Sequence, residues 1–407
     1  MARFDQHHGS SDGGAVLLKA ADRRLGLTER LAVCLQDRRG PAKVTHELVD
    51  LLQQWVFALA CGYPDCNDAA RLAHDPILKL LLDRDPIQGD PLASQPTLSR
   101  FENSVGPKGL FQMGAALAGL VIEHHRDRLR GRARRITIDL DPTDDPPHGA
   151  QQLSFFNVHY DSWCYLPVLG FLSFDDEPEQ YLCTAVLRPG SAPAKLGALG
   201  ILERLLRRLR EAFPKARFLV RLDGGFACPE ILYFLDAEPK VDYVVAMVEN
   251  KVLQRRARKL MGRARRLSRE SQKTEHVYAG CRYAAGRWSR RCRAVIKAEV
   301  VGHPGREPKD NPHHGLEIDR TSCPSFSANQ FRVRLTAAAY VLMQELRLHA
   351  RNTACARARV WMLRDHLLKL GVRVQVSVRR IWLHLPASFP FVDVWQRVAF
   401  SLGAKAG

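Results

Sequence analysis

The chain has 407 residues, 46% of them hydrophobic and 26% charged, an ordinary soluble composition with room for about two or three domains. Its 61 Lys and Arg against 43 Asp and Glu leave a net charge of +18, which favours a polyanionic partner, nucleic acid ahead of a membrane surface. Ten cysteines without a C-x-x-C pair exclude zinc fingers and a small disulfide scaffold, and no apolar run is long enough to span a bilayer, so a soluble, cytoplasmic chain with reduced thiols is expected.

Residues 1–20, polar and Gly-rich, read as a frayed or extended tail without a signal core. Helical spacing follows over about Leu27–Leu35 and Val44–Cys61, where Leu48, Leu51, Leu52 and Val56 share a stripe. After NDAARLAHDPILKLLL, Ser94 is placed to cap a short helix with Pro96 in its first turn. Leu98 and Phe101 would face inward and Thr97, Ser99 and Arg100 outward, the layout of a helix-turn-helix reader, although a capped helix in an all-α domain is the commoner reading. A helix over Gly109–Arg130 ends in the basic run HHRDRLRGRARR, a candidate linker on a phosphate backbone.

RITIDLDPTDDPPHGAQQ then switches the period to that of a strand. Ile136, Ile138 and Leu140 take one face and Thr137, Asp139 and Asp141 the other, and Pro142 ends the run. Carboxylates therefore gather at the carboxyl end of a strand, where α/β sheets hold ligands and metals. QLSFFNVHY and CYLPVLGFLS read as antiparallel neighbours, with YLCTAVL as a third strand. An amphipathic helix over Leu196–Phe213 leads to ARFLVRLDGG, a buried strand with Asp223 at its carboxyl end and Gly224–Gly225 for a tight turn. VDYVVAMV reads as another buried strand. Lys251–Arg269 carries nine basic residues, no acid and one apolar stripe, so phosphate contact through Arg255, Arg256 and Arg263 is expected. HVYAGCRYA and RCRAVIKAEVV read as strands, Gly302–Pro324 as loop, and a long helix resumes at about Ser327. A helix near Ala358–Leu370, a strand-like run and a last helix close the chain. The fold class expected is α/β.

Asp141 and Asp223 come from different strands, and oxygen donors of this kind suit Mg²⁺ or Mn²⁺. On a basic protein, such a site points to phosphoryl displacement on a polynucleotide. A hydrolase built on His148 is the weaker reading, because no nucleophile elbow or Ser/Cys partner accompanies it; His148, Gln151 and Gln152 are expected to shape the loop around the acids.

IDLDPTDDPPHGAQQLSFFNVHYD, LRPG, FLVRLDGGFACPEIL and VDYVVAMVENKVL resemble bacterial insertion-sequence transposases with the group-1 DDE domain, in the family numbered thirteen-eighty. AARLAHDPILKLLL…PLASQPTLSRFEN and LEIDRTSCPSFSANQFRVRLTAAAYVLMQELRLHA extend the likeness over nearly the whole chain. The resemblance implies a ribonuclease H-like core, a divalent metal and cut-and-paste transposition at terminal inverted repeats. It also implies a homodimer on DNA and a nucleoid-associated location. It places the first two catalytic and metal-binding aspartates at Asp141 and Asp223. The third acid departs from the pattern: the helix with the Y-x-x-R-G-x-x-E-N-x-I-K-E signature is missing, as though KAEVVGHPGREPKDNP had been joined to HHGLEIDRTSC across a deletion. Glu317 is the nearest surviving acid, in a stretch whose prolines and glycines exclude a long helix. The domains read as 1–105 helical and DNA-binding, 106–134 a basic linker helix, 135–250 the first part of the core, 251–312 a basic insertion, and 313–407 the remainder of the core and tail.

Overall fold

The computed structural model describes residues 7–247, 250–271, 273–286, 288–300 and 321–404. The chain divides into two compact units, one of residues 1–192, 203–218 and 310–407, the other of 193–202 and 219–309. These boundaries differ from the five-part division read from the sequence, because contacts between segments distant along the chain set them.

In the first unit, strand β1 (Gly9–Ser10) is followed by helices α1 (Val16–Leu25), α2 (Leu27–Ala32), α3 (Leu48–Ala60), α4 (Asp68–Leu72), α5 (Pro76–Leu81), α6 (Gln95–Glu102) and α7 (Pro107–Leu129). Strands β2 (Arg135–Pro142), β3 (Phe155–Asn157), β4 (Ser162–Cys164), β5 (Val168–Phe174) and β6 (Tyr181–Val186) come next. Helix α8 (Ala198–Ala212) and strand β7 (Arg217–Leu222) straddle the division between the units. The second unit continues with α9 (Pro229–Ala237), β8 (Val241–Val245), α10 (Lys251–Ser271), β9 (Glu275–Tyr283) and β10 (Cys292–Val300). The first unit resumes with α11 (Phe326–His349), α12 (Val360–Leu363) with its π-helical extension Arg364–Leu368, β11 (Val372–Val376), β12 (Ile381–His384) and α13 (Val392–Ser401). The architecture is mixed α/β, and its principal sheet has the strand order β6-β5-β2-β7-β8.

Helix α11 is the axis of the first unit: every residue from Ala328 to Leu346 is buried. A helix apolar and small on all sides (LTAAAYVLM) has no solvent face, so it must be surrounded. The N-terminal helices do this, and the node between them is polar. Glu102 on α6 accepts from Trp55 Nε1 on α3 at 2.8 Å and from Arg332 Nη1 on α11 at 3.1 Å. Arg332 also donates to the Pro64 carbonyl at 2.7 Å, and its guanidinium lies 5.6 Å from the Trp55 ring centroid. Buried Arg334 lies against Gly114 of α7, where an added Cβ would come within 2.5 Å of Nη2. Desolvation holds its guanidinium down to about 10.

The expected N-terminal tail is instead a closing strap. Gly9 and Ser10 pair with Arg373 and Val372, and Ala15, Leu17 and Leu18 are buried. Gly13 and Gly14 allow the approach: a Cβ on Gly14 would sit 1.7 Å from the Leu367 carbonyl oxygen. Buried Asp12 accepts from Lys369 Nζ and Tyr63 Oη, both at 2.7 Å. Polar residues read as solvated in sequence are here satisfied by partners more than 50 positions away.

His125 on α7 is buried against Tyr181 and Phe174, with centroids 3.9 and 4.9 Å apart. Arg128 Nε donates to its Nδ1 at 3.0 Å, which requires a neutral ring with Nδ1 as acceptor. Burial, with the neighbouring His124 and Arg128, pushes its pKa well below the usual histidine value.

The sheet corrects two expectations. Phe155–Asn157, from the QLSFFNVHY run, does not join it but pairs with Ser162–Cys164 as a separate hairpin, and β5 pairs antiparallel with both β2 and β6. Strands β7 and β8, expected to be buried runs, each expose residues in alternation; Arg217 and Arg221 on β7 and Val244 on β8 face solvent. The hairpin β9–β10 and the helix α10 before it match the expected elements closely.

Within the second unit, α10 lies on the inner face of the hairpin. Its core is small: Ala264, Val277 and Ala298, flanked by Leu260, Met261, Leu267 and Val300. Asn250 caps α10, its Oδ1 accepting from Val252 N and Leu253 N at 3.1 Å. A 520 Å³ cavity lined by Tyr243, Met247, Leu253, Tyr283, Trp288 and Ile296 lies beside this core.

Among the described residues no single helix is long and apolar enough to cross a membrane. All ten cysteines are free and seven are buried.

Candidate active site

The face of β2 opposite the core grades from inside to outside along the strand. Thr137 is buried, Asp139 half-buried and Asp141 exposed. Alternation sets the common face, and the register Asp141↔Leu169, Pro142↔Val168 holds the strand to its end. Gln180 Nε2 donates to Asp139 Oδ2 at 3.2 Å, so Asp139 already has a scaffold partner. Asp141 stands last before Pro142, as expected.

The loop after it is pinned rather than loose. Asp145 exchanges backbone hydrogen bonds with Tyr165 and its buried carboxylate accepts from Thr321 Oγ1 at 3.3 Å. His148 N donates to the Thr321 carbonyl, and Gln151 Nε2 donates to the same oxygen at 2.8 Å. Gln151 Oε1 accepts from Asn329 Nδ2 at 2.9 Å, and Gln152 Oε1 accepts from Phe326 N at 3.1 Å, at the start of α11. Tyr165 Oη donates to the Gln152 carbonyl at 2.7 Å; burial pushes this phenol up, which keeps it a donor. Gln151 and Gln152 thus shape the loop by docking it to α11, and Asp145 is a scaffold acid. Sequence reasoning missed this junction, whose signal was the TSC…ANQ block 170 residues downstream of Gln151.

Glycine 190 of the LRPG segment sits beneath the hairpin β3–β4. A Cβ there would lie 2.0 Å from the Cys164 carbonyl oxygen and 2.8 Å from Phe155 N. Asn157 Nδ2 donates to the Gly190 carbonyl at 2.9 Å.

Asp223 follows β7 and caps the short 3₁₀ turn Gly224–Phe226, accepting from Gly225 N at 2.9 Å. Neither glycine has the positive φ that a tight turn would demand; Gly225 is required because a Cβ would lie 2.6 Å from Ala194 Cβ. Asp223 is exposed, with one carboxylate oxygen engaged in the cap.

Glu317 lies outside the described residues. Among the described residues no group of three or more His, Cys, Asp or Glu side chains is arranged to hold a metal ion. Oxygen donors of the right type for a hard cation are present at Asp141 and Asp223, and such an ion is held in many sites by one or two carboxylates together with substrate phosphate.

Of the basic candidates, Arg255 and Arg263 are exposed on α10. Arg256 is partly engaged within its own unit, donating to the Arg282 carbonyl at 2.8 Å with its guanidinium 6.0 Å from the Tyr283 centroid. On α6, Leu98 and Phe101 are buried and Arg100 exposed, as expected, with Thr97 and Ser99 half-buried. The helix-turn-helix geometry is not formed: residues 82–94 separate α5 from α6, where that motif has a turn of about 3–4 residues.

A family model described as Transposase DDE domain group 1 matches residues 1–309 and 311–405. No curated protein matches the chain.

Proposed function

The chain belongs to the transposase DDE domain group 1 family, and from that premise we propose that it is an insertion-sequence transposase whose strand cleavage is weak or absent. It would recognise the element's terminal inverted repeats and act as a homodimer on DNA in the nucleoid. The observation that carries this reading is the family match over nearly the whole chain, combined with Asp141 and Asp223 at the carboxyl ends of their strands. The proposed core is ribonuclease H-like.

In this reading Asp141 and Asp223 hold Mg²⁺ or Mn²⁺. When bound, the ion supplies Lewis-acid stabilisation at the scissile phosphate and eases deprotonation of the attacking water. Asp141 is held for the task by a strand end that Pro142 terminates and by a loop docked to α11. Asp223 is set by its own N-cap bond, which leaves a second oxygen available. Arg255 and Arg263 contact backbone phosphates, and Thr97, Ser99 and Arg100 contact DNA from α6 without a helix-turn-helix frame. Impaired cleavage is inferred from the missing glutamate segment, and the break in the family match at Asp310 falls in the same stretch. A binding-only product that occupies element ends and inhibits an intact enzyme is the corresponding biological role.

The test is a cleavage and gel-shift assay with the purified chain, Mn²⁺ and DNA carrying the repeats that flank its gene. Binding without robust cleavage is expected. Robust cleavage abolished by Glu317→Ala would overturn the deletion argument, and any measurable wild-type cleavage that Asp141→Asn leaves undiminished would remove the catalytic assignment.

A further inference from the structure

The hairpin β3–β4, whose segment is tied through Tyr160 to the end of the strand that carries Asp141, leaves large aromatic surface in water. Phe156 and Trp163 form a cross-strand pair with centroids 6.5 Å apart, yet they are 48% and 60% exposed, and Val158 at the tip is 86% exposed. The face behind them is held firmly. Cys164 is buried, Asn157 bonds the Gly190 carbonyl, and Gly190 has no side chain because the hairpin occupies that space. Asn157 Oδ1 also accepts from His159 N at 3.0 Å, ordering the turn. Tyr160 Oη donates at 3.3 Å to the carbonyl of Pro142, the residue after Asp141. Two strands of three residues are marginal on their own, so a rigid anchorage that presents aromatics outward is a construction for contact rather than for core.

We propose that Phe156 and Trp163 form a stacking platform for unpaired nucleobases of the DNA strand end brought to Asp141. This inference rests on the DNA-transposase reading above. The chemistry favours bases over phosphates: the hairpin carries no Lys or Arg between Leu153 and Cys164, while the chain as a whole has the +18 charge to hold the backbone elsewhere. Every base offers a π face, so the platform would select unpaired ends without selecting sequence. Phe156 and Trp163 are positioning residues in this scheme.

The experiment compares full-length wild type, Phe156→Ala/Trp163→Ala and Asp141→Asn by fluorescence anisotropy. The probes are a blunt duplex and the same duplex with a short unpaired overhang bearing 2-aminopurine. Stacking of one base predicts about a tenfold preference of wild type for the overhang, with quenched 2-aminopurine emission. The double variant should lose both the preference and the quenching, while its affinity for blunt duplex stays within about twofold. Asp141→Asn should keep both, since they report binding and not cleavage. Equal binding of both probes by wild type, or a preference that survives in the double variant, overturns the platform and leaves the catalytic assignment untouched. A parallel loss of blunt-duplex affinity assigns the pair to general DNA contact and also overturns it. If sedimentation shows a wild-type dimer that the double variant cannot form, the patch is a self-association surface instead. Absence of any DNA binding by wild type overturns both readings.

Discussion

The two units solve the problem of burial in opposite ways. In the first, α11 is enclosed from Ala328 to Leu346, and even Arg332, Arg334 and Glu345 are buried, with Arg332 matched to Glu102. In the second, a 21-residue helix rests on a two-stranded hairpin over three buried side chains, and its remaining surface is basic. A deep core ties distant segments into one cooperative body; a shallow one leaves its element free to serve as a contact surface at little cost elsewhere. The difference separates residues whose substitution should unfold the protein from those whose substitution should change only what it binds.

The largest effect is expected at the polar node of the first unit. Glu102→Ala leaves the buried Arg332 without its carboxylate and should destabilise by about 3–5 kcal/mol, read as a shift in the urea midpoint. A loss below about 1 kcal/mol would mean that the node is not the joint between the N-terminal helices and α11.

In the second unit, Arg255→Ala/Arg263→Ala should leave the urea midpoint unchanged. It should lower DNA affinity about tenfold and reduce the slope of log affinity against log salt by about 2. Unchanged affinity would remove the phosphate-contact role of α10. Arg256→Ala makes a useful contrast, because its bond to the Arg282 carbonyl means that hairpin order should suffer as well.

A smaller effect belongs to Val277→Ala. It thins a core that is already small, costs about 1–2 kcal/mol, and should raise amide exchange in β9, β10 and α10 while α11 stays protected. Uniform loss of protection across the chain would show that the units unfold together.

The smallest is a pH effect in the first unit. His125 has a depressed pKa in the folded chain, so the unfolded state takes up the proton first as pH falls. Stability from this group is fully present above about pH 6.5, the unfolded value, and is lost as pH falls from there toward the folded value, at up to about 1.4 kcal/mol per unit. His125→Phe should flatten that part of the profile, measured as urea midpoints between pH 7 and 5.

Local rules carried the sequence reading a long way. Alternation in RITIDLD determined which side of β2 holds Asp141, and the proline after it determined where the strand ends. The apolar stripe and unbalanced charge of Lys251–Arg269 determined both faces of α10. These are properties of neighbours along the chain, within reach of strand and helix periods. Tertiary structure alone decided the rest. The polar Gly-rich start became a strap because Asp12 finds Lys369, and Gly14 meets the carbonyl of Leu367. The aromatic run QLSFFNVHY, which a strand propensity placed in the sheet, became an outward hairpin because Gly190 and Asn157 hold it by its other face. The acid loop took its shape from Thr321 and Asn329, residues that no local pattern links to it. Periodicity fixes which way a side chain points; what it meets there depends on segments far off in sequence, and only packing brings those together.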